Sequence, residues 1–179
     1  SSITAIRDGK AVDHSFGFTP QSGLIHGSRT GDLDPFVPLY LIQNHGMSAA
    51  EVAKALSKDA GLKGLSGVSA EYRDVEVAAQ GGNARAKLAI DVFIQGVKRY
   101  IGAYAAVLGG VDALAFTGGI GERGADARAR ICEGLDCMGI ELDPARNSAQ
   151  PVDQPIHSSR SRAEIWVVLA NEELIVARA

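Results

Sequence analysis

Apolar positions along this chain recur first with period two and then with a helical period, and the switch divides the sequence. Ser2-Ile3-Thr4-Ala5-Ile6-Arg7 alternates with β-branched character, and Lys10-Ala11-Val12-Asp13-His14 follows across Asp8-Gly9. Two short extended runs around Asp-Gly predict a β-hairpin, because a tight primed turn needs positive φ at its centre. With no partner strand in the neighbouring sequence, the hairpin reads as the middle of a larger sheet. Residues 15–35 carry no period and are rich in Gly, Ser, Thr and Pro. A loop of that length in a compact domain is usually functional or disordered, and Phe16, Phe18, Leu24 and Ile25 favour an ordered, packed one.

Helical spacing then takes over. Asp34-Pro35 suits the start of a helix over 36–44, with a capping carboxylate and a proline in the first turn. Ser48-Ala49-Ala50-Glu51 is a capping box opening a helix over 49–58. Gly61, Gly64 and Gly67 predict another tight loop, and a short helix covers 71–80. The long helix over 84–108 places Leu88, Val92, Phe93, Val97, Tyr100, Ile101, Tyr104, Ala105 and Leu108 at spacings of three and four, a broad stripe expected to be buried. A short apolar run over 111–116 reads as a buried strand, followed by Thr117-Gly118-Gly119-Ile120-Gly121-Glu122 and a helix over 125–135. After a segment with Pro144, Pro151 and Pro155 come a strand over 163–169 and a helical piece over 171–179.

Composition narrows the possibilities. The 179 residues are 46% hydrophobic and 22% charged, enough for a sizeable core in one domain. A net charge of -3 and a pI near 5.8 argue against a nucleic-acid surface built on bulk charge. No apolar run is long enough to span a membrane, and no secretory leader is visible. Cys132 and Cys137 match no metal or redox spacing, so two buried thiols in a reducing cytoplasm are expected. The informative excess is glycine, at 21 residues.

Four constellations carry candidate chemistry. Strand, Thr117-Gly118-Gly119-Ile120-Gly121-Glu122, then helix would let backbone N–H groups approach a nucleotide, although the same residues also make a plain tight turn. The run is neither a dinucleotide fingerprint nor a Walker loop. Arg29, between Gly27 and Gly31, would present a guanidinium to phosphoryl oxygens, or else bond loop carbonyls, Asp32 or Asp34. Glu71-Tyr72-Arg73 at a loop-to-helix junction would hold a ribose and base edge, or be a capped helix with solvated charges. Asn171-Glu172-Glu173, just past a strand, would bind Mg²⁺ through a carboxylate, or stabilise a helical first turn. The four histidines show no metal spacing; His14 and His26 lie near the Arg29 loop, while His45 and His157 read as surface residues.

In this order the segments resemble the C-terminal part of the acetate kinases. The matching pieces are 2–6, Phe16-Gly17-Phe18-Thr19-Pro20, 27–35, 64–68, Arg99-Tyr100-Ile101-Gly102-Ala103-Tyr104, 116–122 and Asn171-Glu172-Glu173-Leu174. The resemblance implies an α/β domain of the actin, sugar-kinase and heat-shock-ATPase superfamily. Such a domain has a ribonuclease-H-like core, a mixed sheet and flanking helices. It also implies a cytoplasmic homodimer that transfers phosphate between ATP and acetate, giving ADP and acetyl phosphate, with Mg²⁺. Carried over residue by residue, Arg29 is the transition-state arginine and Pro20 lines the methyl pocket. Glu71, Tyr72 and Arg73 match an ATP-binding triplet, Gly119, Ile120, Gly121, Glu122 and Arg123 match the adenosine loop, and Glu172 is the Mg²⁺-associated glutamate. Glu71 stands for a usual aspartate, Arg123 for an asparagine and His14 for a threonine.

The family's N-terminal domain, its phosphate loop, substrate arginine, catalytic aspartate and two histidines are expected to precede Ser1. Residues 1–179 therefore read as the C-terminal nucleotide-binding half, inactive by itself. Three rival expectations stay open: a propionate or butyrate kinase, a non-catalytic actin-like nucleotide-binding module, and a unit serving only folding and dimerisation.

Overall fold

A computed structural model gives the architecture; the structure describes residues 1–170. The helical piece expected over 171–179 lies outside the described residues. Two compact units follow one another, the first Ser1–Tyr104 and the second beginning at Ala105.

The first unit opens with the predicted hairpin, β1 (Thr4–Arg7) against β2 (Lys10–His14), turned by Asp8 and Gly9 at φ 52° and 72°. Among the described residues β1 and β2 pair only with each other, and every β2 residue is exposed. Five helices follow: α1 (Phe36–His45), α2 (Ala49–Lys58), α3 (Gly61–Ser66), α4 (Tyr72–Gln80) and α5 (Ala84–Leu108). The Ser48–Glu51 capping box forms in both directions at the start of α2. Asp34 Oδ1 accepts from the Phe36 N–H at 2.9 Å, as its position suggested.

α3 replaces the expected tight loop. A helix this short has almost as many orphan backbone groups as bonds, and neighbours supply the partners. The carbonyls of His26 and Gly27 accept the N–H groups of Leu62 and Lys63, both at 2.8 Å. At the other end, Arg85 donates to the carbonyls of Gly64 (2.8 Å) and Leu65 (3.0 Å). Tertiary hydrogen bonds thus override a glycine-rich local preference.

The buried seam of α5 is rotated from the expected stripe. Ala86, Ala89, Ile90, Phe93, Ile94, Val97, Ile101 and Tyr104 are buried, whereas Leu88 and Val92 are exposed. Small alanines let the neighbouring backbone come close, and this moves the seam away from the bulkiest residues. With Leu24, Val52, Leu62, Tyr72 and Val75, these residues form the core of the first unit.

The second unit holds β3 (Ala113–Phe116), α6 (Gly118–Arg123), α7 (Ala125–Cys132), α8 (Pro144–Ser148), β4 (Gln154–Pro155) and β5 (Glu164–Val167). The sheet is mixed, with order β3-β5-β4: β5 runs parallel to β3 and antiparallel to β4. Among the described residues β3 pairs with β5 alone, and of its residues only Phe116 is buried, against the expectation of a buried strand. Ile165 and Val167 of β5 pack with Ile131, Ile140 and Ile156 into the second core. Cys132 is a buried thiol, but Cys137 is exposed because it lies in a short surface turn, Asp136–Met138.

Candidate functional site

In the first unit, the chain from Gly23 to Asp32 closes on itself. The Asp32 N–H donates to the Gly23 carbonyl at 2.9 Å, and Asp32 Oδ1 accepts from the Gly23 N–H at 2.8 Å. Arg29 sits within that loop. Behind it, the Thr30 N–H donates to Leu56, the Ala60 N–H donates to Ser28, and the Ser28 hydroxyl donates to the Ser57 carbonyl. Gly61, at φ 62°, completes the backing: a Cβ there would stand 2.2 Å from the His26 carbonyl oxygen and 2.7 Å from that of Arg29. Only glycine allows α3 to approach the arginine backbone so closely.

The alternative of a merely structural Arg29 makes a testable demand on geometry, because it needs Asp32, Asp34 or loop carbonyls as partners. Asp32 is taken by Gly23 and by the Tyr100 hydroxyl, which donates to its Oδ2 at 2.6 Å. Asp34 is taken by Phe36. Among the described residues no carboxylate pairs with the Arg29 guanidinium. Its one hydrogen bond runs from Nη1 to the Pro20 carbonyl, at 3.5 Å, the long limit of such a bond. Two residues singled out for different reasons, Pro20 and Arg29, are thus brought together, and the guanidinium is left largely uncommitted.

An aromatic group stands beside the arginine. Phe16 stacks on His26 with ring centroids 5.6 Å apart and meets His14 edge-on at 5.0 Å. Burial lowers the His26 pKa to about 4, and the Arg29 cation acts in the same direction. Its imidazole is therefore neutral at pH 7 and adds no charge of its own to the arginine loop. His14 bonds to the Thr4 hydroxyl at 2.7 Å. At the start of α4, Tyr72 is buried with its ring edge-on to Phe93 at 5.3 Å, while Glu71 and Arg73 are exposed. The Glu71 side chain forms no cap.

In the second unit, the glycine run is not the simple turn expected before a helix. It is itself the helix α6, starting at Gly118 with φ 71°. Nothing lies within 4 Å of where a Cβ would stand on Gly118 or Gly119, so their backbone is bare on that side. A nucleotide could lie against that surface without meeting a side chain. Ile120 and Gly121 are half-buried, and Arg123 is exposed.

Glu122 is used internally. Its Oε1 accepts from the Gly118 N–H at 3.0 Å and the Ala170 N–H at 2.9 Å, tying the start of α6 to the chain leaving β5. Arg128, 1% exposed, grips the other end of the helix. Its Nη1 donates to the carbonyls of Gly121 (2.7 Å) and Glu122 (2.8 Å). Its Nε and Nη2 donate to the Oδ1 and carbonyl of Asn147 at 2.7 and 3.0 Å. Arg128 was not singled out from sequence, and Gly61 was named only as a glycine of an expected tight loop. The available signal for Arg128 was an arginine sharing a helix face with Ala127 and Ile131.

A family-model match to the acetokinase family covers residues 1–178. The chain belongs to the acetokinase family. It is 48% identical over 178 residues to an acetate kinase of Dictyoglomus thermophilum, a match covering 99% of this chain and 45% of the relative. A crystal structure of Porphyromonas gingivalis acetate kinase superposes with a TM-score of 0.94 at 41% identity, covering 99% of this chain and 45% of that one. A propionate kinase from Francisella tularensis superposes with a TM-score of 0.92 at 40% identity, again over 99% and 45%. The fold class expected from sequence therefore stands: an α/β fold of the actin and sugar-kinase type, with a mixed sheet and flanking helices. The chain spans about 45% of the length of these acetokinase-family relatives.

Glu172, the candidate partner of Mg²⁺, lies outside the described residues. Among the described residues no group of three or more His, Cys, Asp or Glu side chains is placed to hold a metal ion. These residues do not form a metal site by themselves. Among the described residues no helix is long and apolar enough to cross a membrane.

Proposed function

We propose that this chain is the C-terminal half of an acetate kinase, which makes acetyl phosphate and ADP from acetate and ATP. The observation that carries the reading is Arg29: a guanidinium on a loop fixed by backbone hydrogen bonds, beside Pro20, with no carboxylate partner among the described residues. A carboxylate oxygen of acetate attacks the γ-phosphorus, the bond to the ADP oxygen breaks in line, and charge spreads over the equatorial oxygens. An uncommitted arginine meets that charge without first breaking an ion pair. The bare backbone at Gly118 and Gly119 suits adenosine, with Ile120, Gly121, Glu122 and Arg123 completing the loop and Glu71, Tyr72 and Arg73 contributing to the nucleotide site. Mg²⁺ on Glu172 and a cytoplasmic location belong to the same proposal. In this reading the 179 residues alone do not turn over.

The acid is tested by trapping the acyl phosphate with hydroxylamine in the enzyme that carries this chain, using acetate, propionate and butyrate in turn. Acetate is expected to give the highest kcat/KM. One methylene is worth only about 1–3 kcal/mol in such a pocket, so propionate should follow within about 200-fold. A preference for propionate or butyrate would replace acetate as the substrate. ATP binding with no acyl phosphate from any of the three acids would favour the nucleotide-binding module.

Pairing into a homodimer through this domain is part of the proposal. It is supported by apolar residues that the fold leaves uncovered: Phe36 (72% exposed) and Tyr40 (56%) on α1, and Leu88 (53%) on α5. Patches of that kind mark interaction surfaces. Sedimentation should give a dimer for the wild type and a shift toward monomer for Phe36→Glu with Leu88→Glu. An unshifted dimer would place the interface elsewhere.

A further inference from the structure

We propose that Tyr100 and Asp32 form a latch that positions Arg29, and that Tyr100 is therefore a positioning residue for phosphoryl transfer although it lies 71 positions further along the chain. The inference rests on the role of Arg29 given above and deepens it.

The ends of the loop carrying Arg29 meet in the reciprocal pair between Gly23 and Asp32, while inside it the His26 N–H donates to the Arg29 carbonyl at 3.1 Å. One Asp32 oxygen, Oδ1, is consumed by that closure, at 2.8 Å from the Gly23 nitrogen. The other, Oδ2, receives the Tyr100 hydroxyl at 2.6 Å, a short bond to a charged acceptor. A single carboxylate thus closes the loop and fastens the closure to α5, the longest helix of the unit. Gly31, next to Asp32, has φ 71° and would place a Cβ 2.6 Å from the Gly23 carbonyl oxygen, so the loop has no slack at this point.

The helix side is equally specified. Tyr100 meets Tyr104 edge-on with centroids 5.6 Å apart. Burial, with the Asp13 carboxylate adding to it, raises the Tyr104 pKa. Burial, and then the Asp32 carboxylate, push the Tyr100 pKa up to about 12, so at neutral pH the hydroxyl keeps the proton it donates.

Tyr100 and Asp32 line a cavity of about 420 Å³ with Leu24, Leu88, Val92 and Arg99, and Arg29 does not line it. Loss of the latch should therefore be felt through the placement of Arg29. A displacement of about 1 Å in a catalytic group can cost about 100-fold in rate.

The test uses the enzyme that carries this chain, with four variants: Tyr100→Phe, Asp32→Asn, Arg29→Ala, and Tyr100→Phe combined with Arg29→Ala. Tyr100→Phe removes one oxygen and keeps the ring packing. It is expected to lower kcat about 10- to 100-fold while the KM for ATP stays within about threefold. Asp32→Asn should do the same, and it carries the test if Tyr100→Phe does not fold. In the Arg29→Ala background, Tyr100→Phe should cost little further, because its effect runs through the missing guanidinium. An unimpaired Tyr100→Phe beside a crippled Arg29→Ala overturns the latch and leaves the function standing. An equal proportional loss in both backgrounds also overturns it, since the tyrosine would then act independently. Full turnover in Arg29→Ala overturns the reading on which the latch depends.

Discussion

Arg29→Ala in the enzyme that carries this chain should leave ATP binding nearly unchanged and reduce turnover by about 10³- to 10⁵-fold, the range for an arginine that meets transition-state charge in phosphoryl transfer. The size follows from what surrounds the side chain. Backbone hydrogen bonds to Leu56, Ala60 and Leu62 hold this stretch of loop, and they involve Thr30, Ser28 and His26 and not the guanidinium. Removing the side chain breaks one long bond, to the Pro20 carbonyl. The fold should therefore survive, and the loss should fall on the chemical step. Calorimetric titration with ADP beside a steady-state rate checks both halves. A loss of affinity matching the loss of rate would make Arg29 a ground-state ligand instead.

The largest expected effect on stability is at Arg128. Its guanidinium is buried, pairs with no carboxylate among the described residues, and donates four hydrogen bonds to Gly121, Glu122 and Asn147. Replacing it by methionine leaves those acceptors in a dry site, at a cost of about 2–4 kcal/mol even after the relief of no longer burying a cation. Thermal denaturation should show a Tm lower by roughly 5–15 °C. Because two of the acceptors belong to α6, the KM for ATP should rise as well. Arg128→Lys, able to satisfy one or two carbonyls, should recover part of both losses. An unchanged Tm would mean that water or a local shift satisfies the carbonyls.

How much was legible in the sequence depends on how far apart the interacting residues lie. The Ser48–Glu51 box, the Asp8-Gly9 turn and the extent of α5 are set by residues within a few positions of one another, and each formed as read. α3 was missed because its end groups are satisfied by His26, Gly27 and Arg85, which local glycine content cannot show. The seam of α5 was misplaced because weight went to Leu88 and Val92, whereas Ala86 and Ala89 are the fully buried residues. β3 is apolar like an interior strand, yet among the described residues it pairs with β5 alone.

The site divides in the same way. Arg29 was visible as a loop residue of the right chemical type and Pro20 through the family resemblance, and the fold puts them in contact. Glu122 entered as part of the adenosine loop that the resemblance implied; its two backbone partners, Gly118 and Ala170, give it a bracing role that only the folded chain reveals. The Asp32–Tyr100 bond joins residues 68 positions apart and has no sequence signal at all.

The account turns on where the position-29 guanidinium points when substrates are bound. The direct measurement is a crystal structure of the enzyme that carries this chain, with ADP, acetate and a planar fluoride mimic of the transferring phosphoryl group. The prediction is an Arg29 nitrogen about 3 Å from an equatorial fluorine, with the adenosine resting on the bare face of Gly118 and Gly119. A mimic held wholly by other groups, with Arg29 turned away and the α6 backbone untouched, would contradict it.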